Sequence, residues 1–317
     1  MNRSWIALRF MGATVARENL ISRQLLSATS FGYCLAIVAT ALWAGNFVIA
    51  RGFYREIPPI GLAFWRWVIA VAVLIPFTGR SFIEDWPIVK RHLGYLSITA
   101  LLGITVFNTV IYAAGHTAGA AHLSLIAVSA PVFMVFLSRI FFGEPVTPAK
   151  TAGILIAATG VLTLIVNGSL VQLRAMTFAV GDIWMIGAAA AFAGYSALVK
   201  RIPSGMRMRT FLSATFALGL LFLLPFYLWE RVSNQSMIFD KSTVLALLYV
   251  GILASVVAFI AWNRAIAIIG PYRASIVYYL LPVFSAIAAS FFLGEKIGAV
   301  HVFSMVLIIF GIFMANR

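Results

Sequence analysis

A sixteen-residue pattern occurs twice in this chain, and this internal repeat constrains the fold more than any other feature. The first copy is SAPVFMVFLSRIFFGE at residues 129–144, and the second is LLPVFSAIAASFFLGE at residues 280–295. Matching residues lie 151 positions apart, from Pro131 and Pro282 to the glutamates that end the two copies. A repeat of this kind in an apolar chain predicts a transporter assembled from two similar halves.

The two halves also match upstream of this pattern, which locates the boundary between them. The sequence LWAGN at residues 42–46 corresponds to AFAGY at residues 191–195, with a spacing of 149. The change from 149 to 151 indicates a two-residue insertion in the second half. The chain therefore divides into a basic N-terminal tail at 1–30, a first repeat at 31–167 and a second repeat at 179–315.

The composition excludes a pair of soluble domains. Of the residues, 62% are hydrophobic and 10% are charged, and the mean hydropathy is +1.01, whereas soluble domains have about 25% charged residues. Apolar runs of about 20 residues recur along the chain, as in transmembrane helices. We therefore predict an all-α integral membrane protein with ten transmembrane helices, at 31–50, 60–78, 93–114, 119–142, 148–167, 179–199, 210–229, 242–263, 272–293 and 297–315.

The basic residues predict how these spans are oriented. With the N-terminus in the cytoplasm, 16 of the 23 Lys and Arg residues fall in cytoplasmic segments and six in outer ones, in agreement with the positive-inside rule. The net charge of +14 is explained in this way without a nucleic-acid partner. Both termini would be cytoplasmic, in a multi-pass protein of the bacterial inner membrane whose partners are the lipid bilayer and a small-molecule substrate.

The odd number of spans in each half has a direct consequence. Because each half has five spans, the halves enter the bilayer from opposite sides and form two five-helix inverted-topology repeats. Halves arranged in this way can exchange inward-open and outward-open forms around a site at the midplane. The sequence leaves the oligomeric state open between a monomer and a dimer.

The residues that catalysis needs are scattered along the chain. Nine acidic residues and four histidines lie mostly at span ends, and Cys34 is the single cysteine. The sequence has no HExxH motif, phosphate-binding loop or nucleophile elbow. We predict that the protein is not an enzyme and needs no metal or cofactor. No carboxylate is expected inside the bilayer, which favours facilitated diffusion over a proton relay.

Pro131 and Pro282 fall near the middle of their predicted spans. A proline inside a helix removes one N–H donor and clashes with the carbonyl four residues earlier, so the carbonyls of Ala127 and Tyr278 would be freed at membrane depth. One interpretation is a polar cavity whose carbonyls meet a substrate, with the prolines as kinks used in gating. The alternative is a pair of kinks that only shape helix packing.

Arg66, in the sequence AFWRWV, is the one charge well inside a predicted span. An arginine at this depth is costly, so its side chain should face protein or water. It would bind a substrate carboxylate, which matches the planar guanidinium. The alternative is a structural role, in which the side chain extends to the interface or binds backbone carbonyls of a neighbouring helix.

Aromatic and amide side chains predict a substrate pocket that is mostly apolar but has a few polar groups. Asn108 and Tyr112 share one helix face because they are four residues apart. The alternative for any one aromatic residue is packing or a position at the membrane interface. The candidate substrate-binding residues, besides Arg66, are Trp43, Asn46, Asn108, Tyr112, Tyr195, Trp262, Asn263, Tyr278 and Tyr279.

Glu144 and Glu295 end the two copies of the repeated pattern. Each follows a glycine that suits a left-handed helix C-cap, so each glutamate would begin the next helix and help to cap it. The alternative is a carboxylate that couples transport to protons. A stripe of small residues from Gly187 to Gly194 predicts close helix packing.

Taken with their flanking residues, the repeats resemble the EamA-type drug/metabolite transporter superfamily. Besides the PVF stretches, the resemblance rests on Arg66-Trp67 after Pro58-Pro59, and on the run NRAIAIIGPYRASIVYYLLPVF that begins at Asn263. The resemblance spans all ten predicted helices. It implies a central cavity lined by the first four helices of each half, and permease activity without ATP hydrolysis, most similar to exporters of amino acids and aromatic metabolites.

The sequence therefore predicts an alternating-access exporter of small metabolites, with amino acids including aromatic ones as substrates. Alternatives in the same fold are exporters of sugars, nucleosides or drugs. A membrane channel and a membrane-embedded enzyme are alternatives of other classes.

Overall fold

The computed structural model describes residues 3–53, 56–117, 125–175, 180–232, 237, 239–293 and 297–316. It describes the backbone alone for residues 3–26, 51, 115–117, 125–128, 173, 175, 180–182, 289, 292 and 293. These residues form helices joined by turns, without a β-strand among them. The helices are α1 (Arg3–Gly52), α2 (Pro59–Glu84), α3 (Trp86–Arg91), α4 (Leu93–Ala100), α5 (Phe107–Thr117), α6 (Leu125–Phe142), α7 (Pro148–Ile165), α8 (Leu170–Ala175), α9 (Val180–Val199), α10 (Met208–Val232), α11 (Lys241–Leu248), α12 (Ala258–Val277), α13 (Leu281–Leu293) and α14 (Ala299–Ala315).

Much of this helical structure is suited to a bilayer. Six stretches are long and apolar enough to cross a membrane: Ser27–Ala50, Pro59–Glu84, Leu93–Ala114, Pro148–Ile165, Met208–Val232 and Lys241–Ala288. Three further apolar helices are shorter: Ser129–Phe142, Ile183–Val199 and Ala299–Ala315. Large apolar side chains such as Phe303 and Phe310 are more than half exposed, as expected for a surface that faces lipid. The prediction of an all-helical membrane protein is confirmed.

Gly270 divides the longest of these stretches into two helical segments. Its φ of 81° and ψ of 161° lie outside helical geometry, in a region that glycine adopts readily. Pro271 follows and has no N–H with which to continue the helix. Lys241–Ala288 thus contains a helix that ends before Gly270 and a second helix that begins after it, close to the boundary predicted between residues 263 and 272.

Two π-helical segments lie at equivalent positions of the two halves. The first π segment, Leu101–Val106, joins α4 to α5, and the second π segment, Tyr249–Val257, joins α11 to α12. They end 151 residues apart, which is the spacing of the sequence repeat. π segments are rare, displace backbone carbonyls from the regular helical ladder and occur frequently at functional sites.

Helices α2 and α10 are equivalent in the repeat and run antiparallel, because each end of one contacts the opposite end of the other. Asp85, after the last residue of α2, binds Arg207 and Thr210 at the start of α10: Oδ1 is 2.7 Å from Arg207 Nη2, and Oδ2 is 2.6 Å from Thr210 Oγ1. We call this group the Asp85 clamp. The guanidinium of Arg207 holds the pKa of Asp85 far below its ordinary value.

A second carboxylate joins the other ends of the same two helices. Glu230, in the last turn of α10, accepts the backbone N–H of Ile60 at 3.0 Å and that of Gly61 at 2.6 Å, in the first turn of α2. We call Glu230, Ile60 and Gly61 the Glu230 clamp. A carboxylate is stabilised at this position because the first N–H groups of a helix have no partner within the helix.

Helices α7 and α14, the last of each half, are also antiparallel and pack closely. A Cβ atom on Gly153 would collide with the backbone of Ala315, and one on Gly160 would lie 3.0 Å from the backbone nitrogen of Ile308. Glycine permits this approach because it has no side chain. Both pairs of equivalent helices therefore run in opposite directions, as an inverted repeat requires.

The structure corrects the prediction for one of the two prolines. Pro131 lies inside α6, as predicted. Pro282, however, is the second residue of α13 and follows a 3₁₀ turn over Tyr278–Leu280. The carbonyl of Tyr278 accepts the N–H of Leu281 within that turn, so the prediction that it is free is wrong. Proline is tolerated in the first turn of a helix, where its missing N–H has no helical partner.

The glutamate after α6 does not cap the next helix. Gly143 has a left-handed φ of 66°, as predicted for a C-cap. Glu144 then lies in a non-helical segment, and α7 begins at Pro148 with Thr147 as its N-cap, whose side chain accepts the N–H of Lys150 at 3.3 Å. Glu295 lies outside the described residues.

The predicted small-residue stripe is also only partly a packing surface. A Cβ on Gly187 would have no neighbour within 4 Å, so the prediction is wrong at that position. Gly194 lies against Leu102.

Candidate functional site

The guanidinium of Arg66 lies at the centre of a buried polar network between four helical elements. Arg66, in α2, is 1% exposed. Its Nη1 donates to Tyr112 Oη in α5 at 2.8 Å and to Asn46 Oδ1 in α1 at 3.2 Å. Its Nε donates to Ser255 Oγ at 2.5 Å, and its Nη2 donates to the carbonyl of Ala254 at 2.8 Å. Both of these residues belong to the second π segment, so one side chain connects α2 with α1, α5 and this segment.

All four partners of Arg66 are neutral, which leaves its charge without an acidic counterpart in this network. Hydrogen bonds to neutral acceptors lower the cost of burying a cation, but a carboxylate would complement its charge. Two carboxylates, Asp85 and Glu230, are buried among the described residues, and both are bound in the clamps at the ends of α2. The prediction that no carboxylate is buried is therefore wrong for Glu230, which is 5% exposed inside α10.

In each π segment a backbone carbonyl binds a polar side chain, and the two carbonyls lie at equivalent positions of the repeat. In the second segment the carbonyl of Ala254 accepts Trp43 Nε1 at 2.9 Å as well as Arg66. In the first segment the carbonyl of Gly103, 151 residues earlier, accepts Asn108 Nδ2 at 3.1 Å. Asn108 thus binds the backbone of its own helix, whereas the equivalent carbonyl binds side chains from two other helices.

Trp43 also lies at the centre of a buried aromatic cluster. Its ring centroid is 5.3 Å from that of Phe192, 5.6 Å from Phe259, 5.2 Å from Trp262 and 6.0 Å from Tyr278. These rings come from both halves of the chain and meet at the angles that aromatic pairs favour. Because Trp43 shares the Ala254 carbonyl with Arg66, the aromatic cluster and the cationic centre are adjacent.

Each half of the chain contains one buried pair of an amide and a phenol, and the two residue types are exchanged between the halves. Tyr112 Oη donates to Asn46 Oδ1 at 2.7 Å. In the second half, Tyr195 Oη donates to Asn263 Oδ1 at 3.0 Å and lies 2.8 Å from Asn263 Nδ2. Tyr195 occupies the position equivalent to Asn46, and Asn263 the position equivalent to Tyr112. The repeat has kept an amide–phenol pair between equivalent helices while its members have changed places.

The cation has no equivalent in the second half. The position matching Arg66 is Thr215, which is buried and donates its hydroxyl to the carbonyl of Phe211 in its own helix at 2.9 Å. Nearby, Trp262 Nε1 donates to Ser196 Oγ at 3.2 Å. At these positions of the second half, the polar contacts are therefore between neutral groups.

Most of the residues singled out from the sequence come together, and one does not. Tyr279 is buried in a separate apolar cluster with Tyr272 and Ile276. All the other candidates for substrate binding are buried in the polar networks or aromatic contacts just described. Glu144 lies beside the break at Gly270.

Other residues of the site were missed because no periodic signal marks them. Ser255 and the Ala254 carbonyl join the site through the second π segment, and a π segment is not evident in an apolar sequence. Ser196 and Phe259 enter only through their contacts across helices.

Comparisons with known proteins agree on the family. The model of the EamA-like transporter family matches residues 30–166 and again residues 179–317. An "Uncharacterized transporter" of Archaeoglobus fulgidus is 30% identical over 83% of this chain and 90% of its own length. A protein of known crystal structure superimposes with a TM-score of 0.70 at 21% identity, covering 92% of this chain and 96% of its own, which shows a shared fold.

Several curated relatives carry names that mention amino acids, and two of them represent the group. A "Probable amino-acid metabolite efflux pump" of Escherichia coli K12 is 26% identical over 88% of this chain and 93% of its own length. A "Probable terminal-alkyne amino-acid exporter" of Streptantibioticus cattleyicolor is 26% identical over 89% of this chain and 92% of its own length.

Proposed function

The chain belongs to the EamA-like transporter family, a family of membrane transporters rather than enzymes, and we propose that it exports small metabolites that carry a carboxylate. Amino acids, including aromatic ones, are the proposed substrates. The observation that carries the proposal is the buried guanidinium of Arg66, whose four hydrogen-bond partners are all neutral.

The proposed binding mode follows from the two adjoining parts of the site. The carboxylate of the substrate replaces neutral acceptors around Arg66 when the site opens to water, because a charged acceptor forms the stronger hydrogen bond. The aromatic cluster around Trp43 then receives the apolar part of the substrate. Proteins named as exporters of amino acids or their metabolites are related to this chain over nearly its whole length, which supports the same substrate class.

Alternating access is the proposed mechanism, and ten spans with cytoplasmic termini in the inner membrane are the proposed topology. Ten spans are supported by the six long apolar stretches, one of which is divided at Gly270, and by the three shorter apolar helices. The antiparallel pairing of α2 with α10 and of α7 with α14 supports two inverted halves that exchange conformations. Each half supplies one of the two buried amide–phenol pairs, which supports a site between the halves.

A flux panel tests this function. Purified protein in liposomes is assayed with labelled phenylalanine, threonine, a hexose and a nucleoside, against protein-free vesicles. We expect saturable flux of phenylalanine or threonine. Flux of the hexose or nucleoside alone would replace the substrate class with the sugar or nucleoside alternative. Unitary currents in single-channel recordings would instead indicate a channel.

A further inference from the structure

The two clamps hold opposite ends of one helix pair, and they differ in chemistry. At the Asp85 clamp the carboxylate accepts two guanidinium nitrogens of Arg207 and the hydroxyl of Thr210, and the neighbouring Glu84 lies 2.7 Å from Arg207 Nη1. At the Glu230 clamp the carboxylate accepts two backbone N–H groups, and none of its hydrogen-bond donors among the described residues is a basic side chain.

Both carboxylates are buried, so breaking the contacts of either one without replacing them would cost free energy. Asp85 is 6% exposed and Glu230 is 5% exposed. If either end of α2 moved away from α10, the carboxylate at that end would lose its partners. Water would then have to replace those partners as the helices separate. Separation of the helices at one end is therefore coupled to hydration of that end.

The clamps also lie on the two sides of the polar site. Arg66 lies in α2 five residues after Gly61 of the Glu230 clamp, and its guanidinium binds Asn46 in α1 and Tyr112 in α5. The Asp85 clamp closes the far end of α2. Along α2, Arg66 therefore lies between the two clamps, with one clamp towards each side of the membrane.

We propose that the Asp85 clamp and the Glu230 clamp are the two gates of the transport pathway, each controlling access from its own side of the membrane. The inference rests on the alternating-access proposal. In the orientation predicted from the basic residues, the Asp85 clamp is the cytoplasmic gate and the Glu230 clamp is the outer gate. Opening either gate breaks its carboxylate contacts while the contacts at the opposite end keep the helices together.

Side-specific thiol labelling tests the gates without requiring a substrate. Cys34, the single cysteine, is exposed and is replaced by serine. Ser196→Cys then introduces a buried reporter next to the aromatic cluster. A membrane-impermeant maleimide is added to right-side-out or inside-out vesicles, and the rate of labelling is compared among gate variants.

Each gate variant is expected to increase labelling from one side of the membrane only, and the two variants should do so from opposite sides. Asp85→Asn should increase labelling about tenfold from the cytoplasmic side alone, and Glu230→Gln should do so from the outer side alone, because each weakens one set of contacts to a charged group. Arg80→Gln is the matched control, since it alters a largely exposed ion pair with Glu84 and should leave both rates unchanged.

Equal acceleration from both sides would overturn the proposal, because loosening of the whole fold has that effect. Unchanged labelling from both sides would overturn it as well. Should Asp85→Asn fail to insert, Thr210→Val removes a 2.6 Å hydrogen bond of the same clamp. Glu230→Asp serves likewise at the other clamp, since its shorter side chain cannot reach both N–H groups. If no amino-acid flux is found but each gate variant accelerates labelling from its own side, the substrate assignment is refuted and the gate proposal stands.

Discussion

The two halves share a scaffold at the centre of the molecule, but they differ in charge. Each half contributes a buried amide–phenol pair, Asn46 with Tyr112 in the first and Tyr195 with Asn263 in the second. Arg66 joins the first pair, whereas a threonine at the equivalent position hydrogen-bonds within its own helix. The difference teaches that the two halves keep equivalent helix contacts around the site, whereas the buried charge occurs in the first half only.

The largest predicted effect comes from removing the charge. Arg66→Gln should lower flux of a carboxylate substrate by about 100-fold, because truncating one side of a buried charged contact costs several kcal/mol. Thr215→Val, the matched change in the second half, should lower flux by less than about threefold, because it removes only a hydrogen bond within its own helix. Initial rates in liposomes at equal protein content measure both. Equal losses in the two variants would show that the halves do not differ in role.

Removing the phenol hydroxyl of each pair tests the same difference between the halves, with a smaller expected effect. Tyr112→Phe deletes a hydroxyl that binds both Arg66 and Asn46, so the KM for substrate should rise by about tenfold. Tyr195→Phe leaves the amide of Asn263 without this partner, so it should lower the free energy of unfolding by about 1–3 kcal/mol and change KM less. A larger KM effect from Tyr195→Phe would reverse the assigned roles.

A steric change tests how the neutral pair is positioned. Gly103 lies against the ring of Tyr195, and a Cβ there would overlap the ring. Gly103→Ala should therefore destabilise the protein by about 1–3 kcal/mol through overpacking. Gly187→Ala is the control, because a Cβ there meets nothing within 4 Å and alanine favours the helix. Thermal unfolding in detergent measures both, and equal stability of the two variants would contradict the close approach.

The smallest predicted effect concerns pH and the Asp85 clamp. Arg207 lowers the pKa of Asp85 in the folded protein below its ordinary value of 3.8, so the stabilisation is fully present above that value and is lost as pH falls below about 4. In the wild type, the midpoint temperature of thermal unfolding should therefore decrease as the pH is lowered through that acidic range. The decrease should be smaller in Asp85→Asn, which has no carboxylate to protonate at this position. Identical acid profiles would show that the clamp does not stabilise the fold.

The repeat predicted the architecture because its spacing applies to whole helices. The spacing of 149 predicted the equivalence of α2 with α10 and of Asn46 with Tyr195, since such relations follow from the order of residues along the chain. The contacts of Asn46 with Tyr112 and of Tyr195 with Asn263 were not predicted, because they depend on how the helices pack. The prediction for Tyr278 failed because a local 3₁₀ turn, rather than a regular helix, precedes Pro282. Ser255 was missed because its approach to Arg66 depends on a π segment and on tertiary packing, neither of which leaves a periodic pattern.

The central claim is that Arg66 receives the carboxylate of the substrate, and an analogue comparison tests it most directly. Inhibition of phenylalanine uptake is measured with unlabelled phenylalanine and with phenylalaninamide, in which a neutral amide replaces the carboxylate, for the wild type and for Arg66→Gln. We predict that the wild type prefers the carboxylate by about tenfold or more, because a charged acceptor strengthens the hydrogen bond, and that the preference disappears in the residual activity of the variant. An unchanged ratio between the two inhibitors in both proteins would contradict the account.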